Sequence, residues 1–510
     1  MVYIVAILSL AATVFAVRYH MHMFQLNDYR ASTQTQWLGT HPTSWFLQVF
    51  CIVGLGLASR WYLPGAIVVT VLLVLAILVK VLRKTQAKKP LKYTARVKRM
   101  LVTASILTFG LLSGVVWAPG WGKLAFAAAP YVLSGVAVIG VNIINAPIEA
   151  GVRRHYLNDA KRILAEHPNL VKIGITGSYG KTSLKYYLTT LLRGHFTTLM
   201  TPESYNTPMG ITMTIRGELR ATHEVFVCEM GAKKVGEIKE DCDLVNPQIG
   251  VVTAIGEQHL ATFGSQEAIL RTKLELADAV KGKGMLYLNG DDILLRANQP
   301  DQDRQLYGLC TDNQTYAYGL SVSTSGTVFS LNHKGKDFVD LVTPLIGGHT
   351  IQNLAGALAV ALDLGVTEAE LRTQLGKLVP APHRLSMSHN GGATIIDDAY
   401  NSNPAGAKAA LDTLAMFDAV KILITPGMVE LGEREEALNE AFGEQAVIAD
   451  HVFLVGARQT EPIARGLASA GYDQAKVTIV EDVKDAIARA YALPGESKVI
   501  LLENDLPDNY

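Results

Sequence analysis

Residues 171–183 read VKIGITGSYGKTS, an apolar run of β-forming residues that breaks into a glycine turn and ends in a lysine and two hydroxyls. Gly177 and Gly180, with Ser178 between them, free the backbone to turn its N–H groups toward a polyphosphate. Lys181 supplies a cation for the outer phosphates, and Thr182, followed by Ser183, can place a hydroxyl on Mg²⁺. The residues that follow, LKYYLTTLLRG, carry apolar side chains at helical spacing, so the turn opens a helix whose dipole favours an anion. The spacing departs from the general Walker pattern, because Ile175 stands where that pattern has its first glycine. An ordinary glycine turn is the plain alternative; the lysine and hydroxyls weigh against it.

At 510 residues the chain has room for three or four folding units. Its 46 basic and 46 acidic residues balance, which gives no reason to expect a nucleic-acid partner. Residues 1–150 are dominated by long apolar runs with few acids, whereas 151–510 have the mixed charge and regular glycines of an α/β protein. Cys51, Cys228, Cys242 and Cys310 are scattered without metal-ligand spacing, so neither a zinc site nor a disulfide framework is expected, and a reducing compartment fits.

Apolar runs at 2–17, 45–59, 61–82, 100–118 and 124–146 predict about five membrane helices over 1–147. The count falls to four if the short 45–59 run is re-entrant. The first run lacks a basic leader and a clear cleavage site, which favours a retained helix over a signal peptide. Residues 83–99 hold eight lysines and arginines and are expected on the cytoplasmic side, with the N-terminus outside and everything from 148 onward in the cytoplasm. The polar stretch 18–43, with His20, His22 and His41, is expected as a loop, its histidines interfacial rather than metal-binding. Residues 148–170 are expected to form a juxtamembrane helix whose basic side chains meet anionic lipid.

Past the phosphate loop, 224–230 (EVFVCEM) reads as a buried strand ending in a carboxylate, the position at which α/β nucleotide enzymes hold Mg²⁺; Glu229 is the candidate ligand. The strand at 249–255 leads into GEQHLATFGS, which puts His259 in the same loop layer. Residues 311–345 read as strand-rich. From 393 onward the alternation of apolar strand, turn and helix resumes, with Asn403–Pro404 as a helix start, predicting a small doubly wound domain.

The series GSYGKTS, EMG at 229–231, TAIGEQHLATFGS at 253–265 and Lys273 in RTKLE resembles the Mur ligase family, ATP-dependent amide ligases of peptidoglycan synthesis, and most of all its MurF-type, D-alanyl-D-alanine-adding branch. The resemblance covers 171 onward. It implies an α/β fold: a central P-loop domain at 171–380 and a Rossmann-like C-terminal domain at 381–510, here preceded by the transmembrane helical bundle instead of the family's soluble first domain. It implies ATP and Mg²⁺ as cofactors, with Lys181 on phosphates, Thr182 and Glu229 on one metal ion, and His259 helping to hold a second. Lys273, which alone reads as an exposed helix lysine, matches a lysine that is carbamylated in the family and bridges toward metal. Asn289 in LNGDD and Asn353 in GGHTIQNLAGA match nucleotide segments, although Thr350 replaces an asparagine of the second. Arg384 and Asp398 match nucleotide contacts, and Tyr400, Asn401 and Asn403 lie where the family binds its incoming amine.

The resemblance implies a ligase joining a cell-wall precursor carboxylate to an amine such as D-Ala-D-Ala, and the apolar runs with the basic 83–99 loop add that it is membrane-anchored and faces the cytoplasm. The acceptor is left open between a soluble muramoyl tripeptide and a lipid-linked or polymeric carboxylate, and the extra helices suggest acceptor delivery or docking to another envelope-synthesis enzyme. A non-catalytic nucleotide-binding scaffold is the alternative of another class; it has no need of the full set of phosphate-handling residues.

Overall fold

The computed structural model describes residues 1–82, 90–256, 260–400, 403–429, 431–495 and 497–504. It divides into two compact units, Met1–Arg154 and His155–Leu506.

The first unit is helical. Four helices, Val2–Leu26, the segment Tyr62–Val79, Ala95–Trp117 and Gly122–Ala165, are long and apolar enough to cross a membrane; the helix Phe46–Arg60, at 15 residues, is short of that length. Two expectations change here. The stretch 18–43 is not a loop, because the first helix runs on to Leu26 and a second helix forms at Ala31–Thr40. Nor do residues 148–165 start a new helix, since the last apolar helix continues through Pro147 to Ala165. Small and medium apolar side chains such as Ala12, Ala66, Val69 and Leu73 fill the bundle interior, while Ile7, Ile106, Phe109 and Ile143 point outward. In the interior Gln48 Nε2 donates to Ser134 Oγ at 2.7 Å, and nearer the surface Arg99 grips the half-buried Glu149 through two bonds of 2.6 and 2.8 Å. His41 stacks on Trp37, and no cluster of three metal-ligating side chains occurs among the described residues.

The second unit contains two sheets. The strands β1 (Val171–Thr176), β2 (Thr198–Met200), β3 (Val225–Glu229), β4 (Ile249–Val252), β5 (Leu286–Asn289), β6 (Arg304–Gly308), β7 (Thr315–Ser323), β8 (Gly326–His333) and β9 (Lys336–Thr343) form one sheet. Its order is β2-β3-β1-β4-β5-β6-β7-β8-β9, parallel as far as β7 and antiparallel over the β7–β9 meander, which falls in the stretch 311–345 that reads as strand-rich. Alternate residues serve opposite faces. Ile173, Ile175 and Val227 pack against the helices Lys181–Leu192 and Gly348–Asp363, while Phe226 and Cys228 pack against Ile211, Ile238 and Leu276. The chain leaves β1 toward β3 on one side and later reaches β4 on the other, so the strand order reverses beside β1. The crevice beyond the carboxyl ends of such strands is where open α/β sheets bind ligands.

The second sheet holds β10 (Ser386–Asn390), β11 (Ala393–Asp398), β12 (Val420–Thr425), β13 (His451–Val455), β14 (Val477–Val480) and β15 (Lys498–Glu503), in the order β10-β11-β15-β12-β13-β14. Only β10 runs antiparallel to its neighbour. Inserting the last strand between β11 and β12 makes a second point of reversal, and Asp398 stands at its carboxyl end.

Candidate active site

The turn after β1 is held by its neighbours before any ligand arrives. Gly177 has φ 145° and Gly180 φ 80°; a Cβ on Gly177 would lie 2.1 Å from Thr253 Oγ1, and one on Gly180 2.5 Å from Asn353 Oδ1. Ser178 N–H donates to Ala254 O at 2.7 Å, its Oγ accepts from Gly256 N–H at 3.0 Å, and the Thr253 hydroxyl bonds Tyr179 O. Asn289 is buried and donates to Thr253 O at 2.8 Å, which ties the end of β5 to the cradle. Asn353, on the helix Gly348–Asp363, meets the cradle at Gly180.

Lys181 opens the helix Lys181–Leu192 and folds its ammonium back onto Gly177 O and Ser178 O, at 2.7 and 2.9 Å. Desolvation lowers it to about 8; Glu229 opposes that shift and the Arg384 guanidinium adds to it. The Arg384 guanidinium thus lies within electrostatic range of Lys181, a like-charge field that a polyphosphate would relieve.

Glu229 ends β3 with only 1% of its side chain exposed. Its Oε1 accepts from Thr182 Oγ1 at 3.2 Å and Asn206 Nδ2 at 3.0 Å, and its Oε2 lies 3.0 Å from the ammonium of Lys185. Burial alone would push this carboxyl up, but Lys185, Lys181 and the bond from Asn206 outweigh it and hold the group below the usual range. A hydroxyl and an ionised carboxylate side by side at a phosphate cradle suit Mg²⁺, which takes one or two protein oxygens and completes its shell with phosphate and water. His259 lies outside the described residues.

Lys273 is not the exposed lysine that its helical position implies. It is 3% exposed, on the helix Gln266–Val280, with Nζ 5.9 Å from the centre of the Phe263 ring. Desolvation and then Lys181 lower its ammonium to about 7, against the pull of Glu237, Glu275 and Asp241.

The C-terminal sheet adds its own groups. Arg384 lies over the Tyr400 ring at 4.5 Å, and Tyr400 is 46% exposed. Asp398 accepts from Leu385 N–H at 3.0 Å; desolvation raises it to about 6 despite Arg384. Both reach the cradle electrostatically, Arg384 acting on Lys181 and Asp398 on Tyr187, which also interacts with Ser183 and Thr350. Asn403 caps the helix Pro404–Ala415, its Oδ1 accepting from Gly406 N–H at 3.0 Å. Asn401 lies outside the described residues.

Two residues of this site escape a reading of the sequence alone. Lys185 is fully buried, paired to Glu229 and bonded to Glu203 O, although an amphipathic helix pattern assigns such a lysine to solvent. Its spacing of four from Lys181 is the one available signal, because it sets both ammoniums on one helix face. Asn206 sits in TPESYNTP, which reads as a polar turn before a helix, yet its amide holds Glu229 and its carbonyl accepts from Gly231 N–H at 2.7 Å.

Removing one partner of a buried pair leaves the other charge uncompensated, at about 3–5 kcal/mol. Lys185→Met is therefore expected to lower the unfolding midpoint of the detergent-solubilised protein sharply. The double variant Lys185→Met/Glu229→Gln should recover much of that loss, and strict additivity of the two changes would refute the pairing.

Comparison with known proteins covers both sheets. Residues 175–361 match the model of the Mur ligase middle domain, and 383–503 that of the Mur ligase glutamate ligase domain. A UDP-N-acetylmuramoyl-tripeptide–D-alanyl-D-alanine ligase of Mycobacterium tuberculosis (strain ATCC 25618 / H37Rv) is 31% identical over 404 residues, 74% of this chain and 78% of the relative. The ligase of the same name from Bacillus subtilis (strain 168) is 33% identical over 291 residues, 56% of this chain; the chain thus spans 62% of that relative, less than two thirds of its length. The crystal structure of a MurF ligase from Thermotoga maritima in complex with ADP superposes with a TM-score of 0.62 at 25% identity, over 69% of this chain and 80% of that one. The two matched spans fall in order on the two successive α/β sheets, and the chain belongs to the Mur ligase family.

Proposed function

We propose that the protein is an ATP- and Mg²⁺-dependent amide ligase of MurF type, with an ATP-binding domain over 171–380 and a closing domain over 381–510. The observation that carries this reading is the cradle itself, where the Thr182 hydroxyl donates to the buried Glu229 beside Lys181, within electrostatic range of Arg384 from the second sheet. In the reaction an acceptor carboxylate oxygen attacks the γ-phosphorus of ATP and ADP leaves. The amine nitrogen then attacks the acyl carbon of the resulting acyl phosphate, losing a proton as inorganic phosphate departs. Lys181 and Arg384 hold the transferring phosphoryl group from two sides, which supplies charge where it develops. Thr182 and Glu229 would hold the Mg²⁺ that neutralises the phosphates. Residues of the second sheet approaching the first exclude water from the acyl phosphate, whose hydrolysis would waste it. Tyr400, Asn401 and Asn403 are the candidates for the amine side, and the names of the relatives support D-Ala-D-Ala as that amine with a muramoyl tripeptide as acceptor.

Lys273 supports a carbamate in this site. Only a neutral amine adds CO₂, with release of a proton. A lysine at about 7 is half neutral at neutral pH, whereas one at the ordinary lysine value of 10.5 is neutral in roughly one part in three thousand.

The reading includes membrane anchorage by the first unit, with the second unit and the 83–99 segment cytoplasmic and the N-terminus outside. Outward-facing Ile7, Ile106, Phe109 and Ile143 support it, since a bundle in water would turn such side chains inward. A bundle of several apolar helices exceeds what anchoring needs, which favours a second reading in which the acceptor is lipid-linked, or another envelope-synthesis enzyme docks there.

Three experiments test this. Purified full-length protein with ATP, Mg²⁺, D-Ala-D-Ala and either UDP-linked or lipid-linked muramoyl tripeptide should release phosphate and a ligated peptide, and Lys181→Ala should release neither. Absence of product with both acceptors would overturn the ligase reading, and the preferred acceptor decides between its two forms. Lys273→Ala should lose activity and regain part of it with short-chain carboxylates, and the wild type should weaken below about pH 7 in CO₂-depleted buffer as the amine protonates; full activity of the unsupplemented variant would end this role. In intact cells a membrane-impermeant thiol reagent should label a cysteine replacing Trp121 but neither one replacing Lys92 nor the exposed native Cys310, and the opposite pattern would reverse the orientation.

A further inference from the structure

At the amino end of the first sheet, opposite the phosphate cradle, lies a cleft of about 430 Å³. Three lysines line it: Lys161 from the helix Gly122–Ala165, Lys172 from the start of β1, and Lys283 from the turn after the helix Gln266–Val280. Leu164, Leu244 and Ala279 supply apolar walls. Among the described residues none of the three lysines forms an ion pair; the carboxylate that lines the cleft, Asp243, is held by Lys239 at 2.7 Å. Lys172 is half-buried, and desolvation together with the charge of Lys283 lowers its ammonium. Lys283 is fixed in place, donating to Asn246 Oδ1 at 2.6 Å.

Surface lysines ordinarily extend into water, and the carboxyl end of the helix Glu237–Val245, which Asn246 terminates, accounts for one cation nearby. It does not account for three that converge from separate elements, one of them partly desolvated beside a like charge. Three lysines against a single lining carboxylate, itself paired to Lys239, leave the cleft with an excess of positive charge that suits an anion, and the strongest acceptor of several lysine donors is a phosphate oxygen set. The volume is that of a small-molecule pocket and exceeds a bare ion, and the apolar walls suit an ester substituent.

We propose that this cleft is a second phosphate-binding site, distinct from the ATP cradle, that takes a phosphate group either free in solution or carried on a lipid headgroup. It lies at the opposite end of β1 from Lys181, so occupancy and ligase chemistry are separable, and the inference does not depend on the ligase reading.

Limited acylation of full-length protein with an amine-reactive reagent, read lysine by lysine by mass spectrometry, tests it. The protein is treated in detergent with or without inorganic phosphate, with sodium chloride at matched ionic strength as reference. It is treated again in nanodiscs of phosphatidylcholine with or without phosphatidylglycerol. A bound phosphate that raises Lys172 by one pKa unit cuts its neutral-amine fraction, and hence its acylation rate, about tenfold. Lys172 and Lys283 should be protected while Lys239 is not, and Lys283→Gln should remove the protection at Lys172 and leave ATP binding unchanged. Protection by inorganic phosphate identifies a free ligand, and protection confined to phosphatidylglycerol a headgroup. Equal acylation of Lys172 in every arm, or equal protection by chloride, overturns the site.

Discussion

An ionised carboxylate almost without solvent access, Glu229, is the constraint around which the catalytic unit is arranged. A buried charge is tolerated only when it is paired and hydrogen-bonded. The fold meets that condition with four groups from two segments: Lys181, Thr182 and Lys185 from the cradle helix, and Asn206 from the loop after β2. Each partner belongs to a segment with another task. The cradle helix presents phosphate-facing N–H groups, and the 201–207 loop closes over the end of β3 through Asn206 and Gly231. Satisfying one carboxylate therefore sets the cradle, the loop and the strand end in mutual register.

Nucleotide chemistry follows from that register. Lys181, drawn back onto its own loop carbonyls and facing Arg384, is a cation with its best partner not yet in place. Arriving phosphates would exchange two weak carbonyl contacts and a like-charge repulsion for charge-assisted bonds, so binding energy is concentrated where phosphoryl charge develops. Lys273 is tuned in the opposite sense. Burial makes its neutral form accessible, and with it the nucleophilic amine that carbamate formation requires.

The helical unit obeys a different solvent. Its interior is packed by small and medium apolar side chains with an occasional polar pair, as Gln48 on Ser134, while large apolar side chains face out. Four of its helices, among the described residues, have the length and composition that a membrane crossing needs.

The local chemistry of the chain was determined by sequence alone: strand, glycine turn, lysine, hydroxyl and helix at 171–192, the strand-end Glu229, the β7–β9 meander, the second doubly wound sheet, and apolar helices before them. These depend on residue type and spacing within a few turns of chain, through backbone geometry and hydrophobic period. Helix ends were less legible. The first helix extends to Leu26, and the last runs through Pro147, because continued packing outweighs polar composition or a single proline. What only the tertiary structure decided is the environment of each charge. Lys185 and Lys273 occupy helix positions that look solvent-facing in sequence, and both are buried because β3, the 201–207 loop and Phe263 close over them from distant parts of the chain. Desolvation and ion pairing depend on distance in space, whereas periodicity reports only distance along the chain.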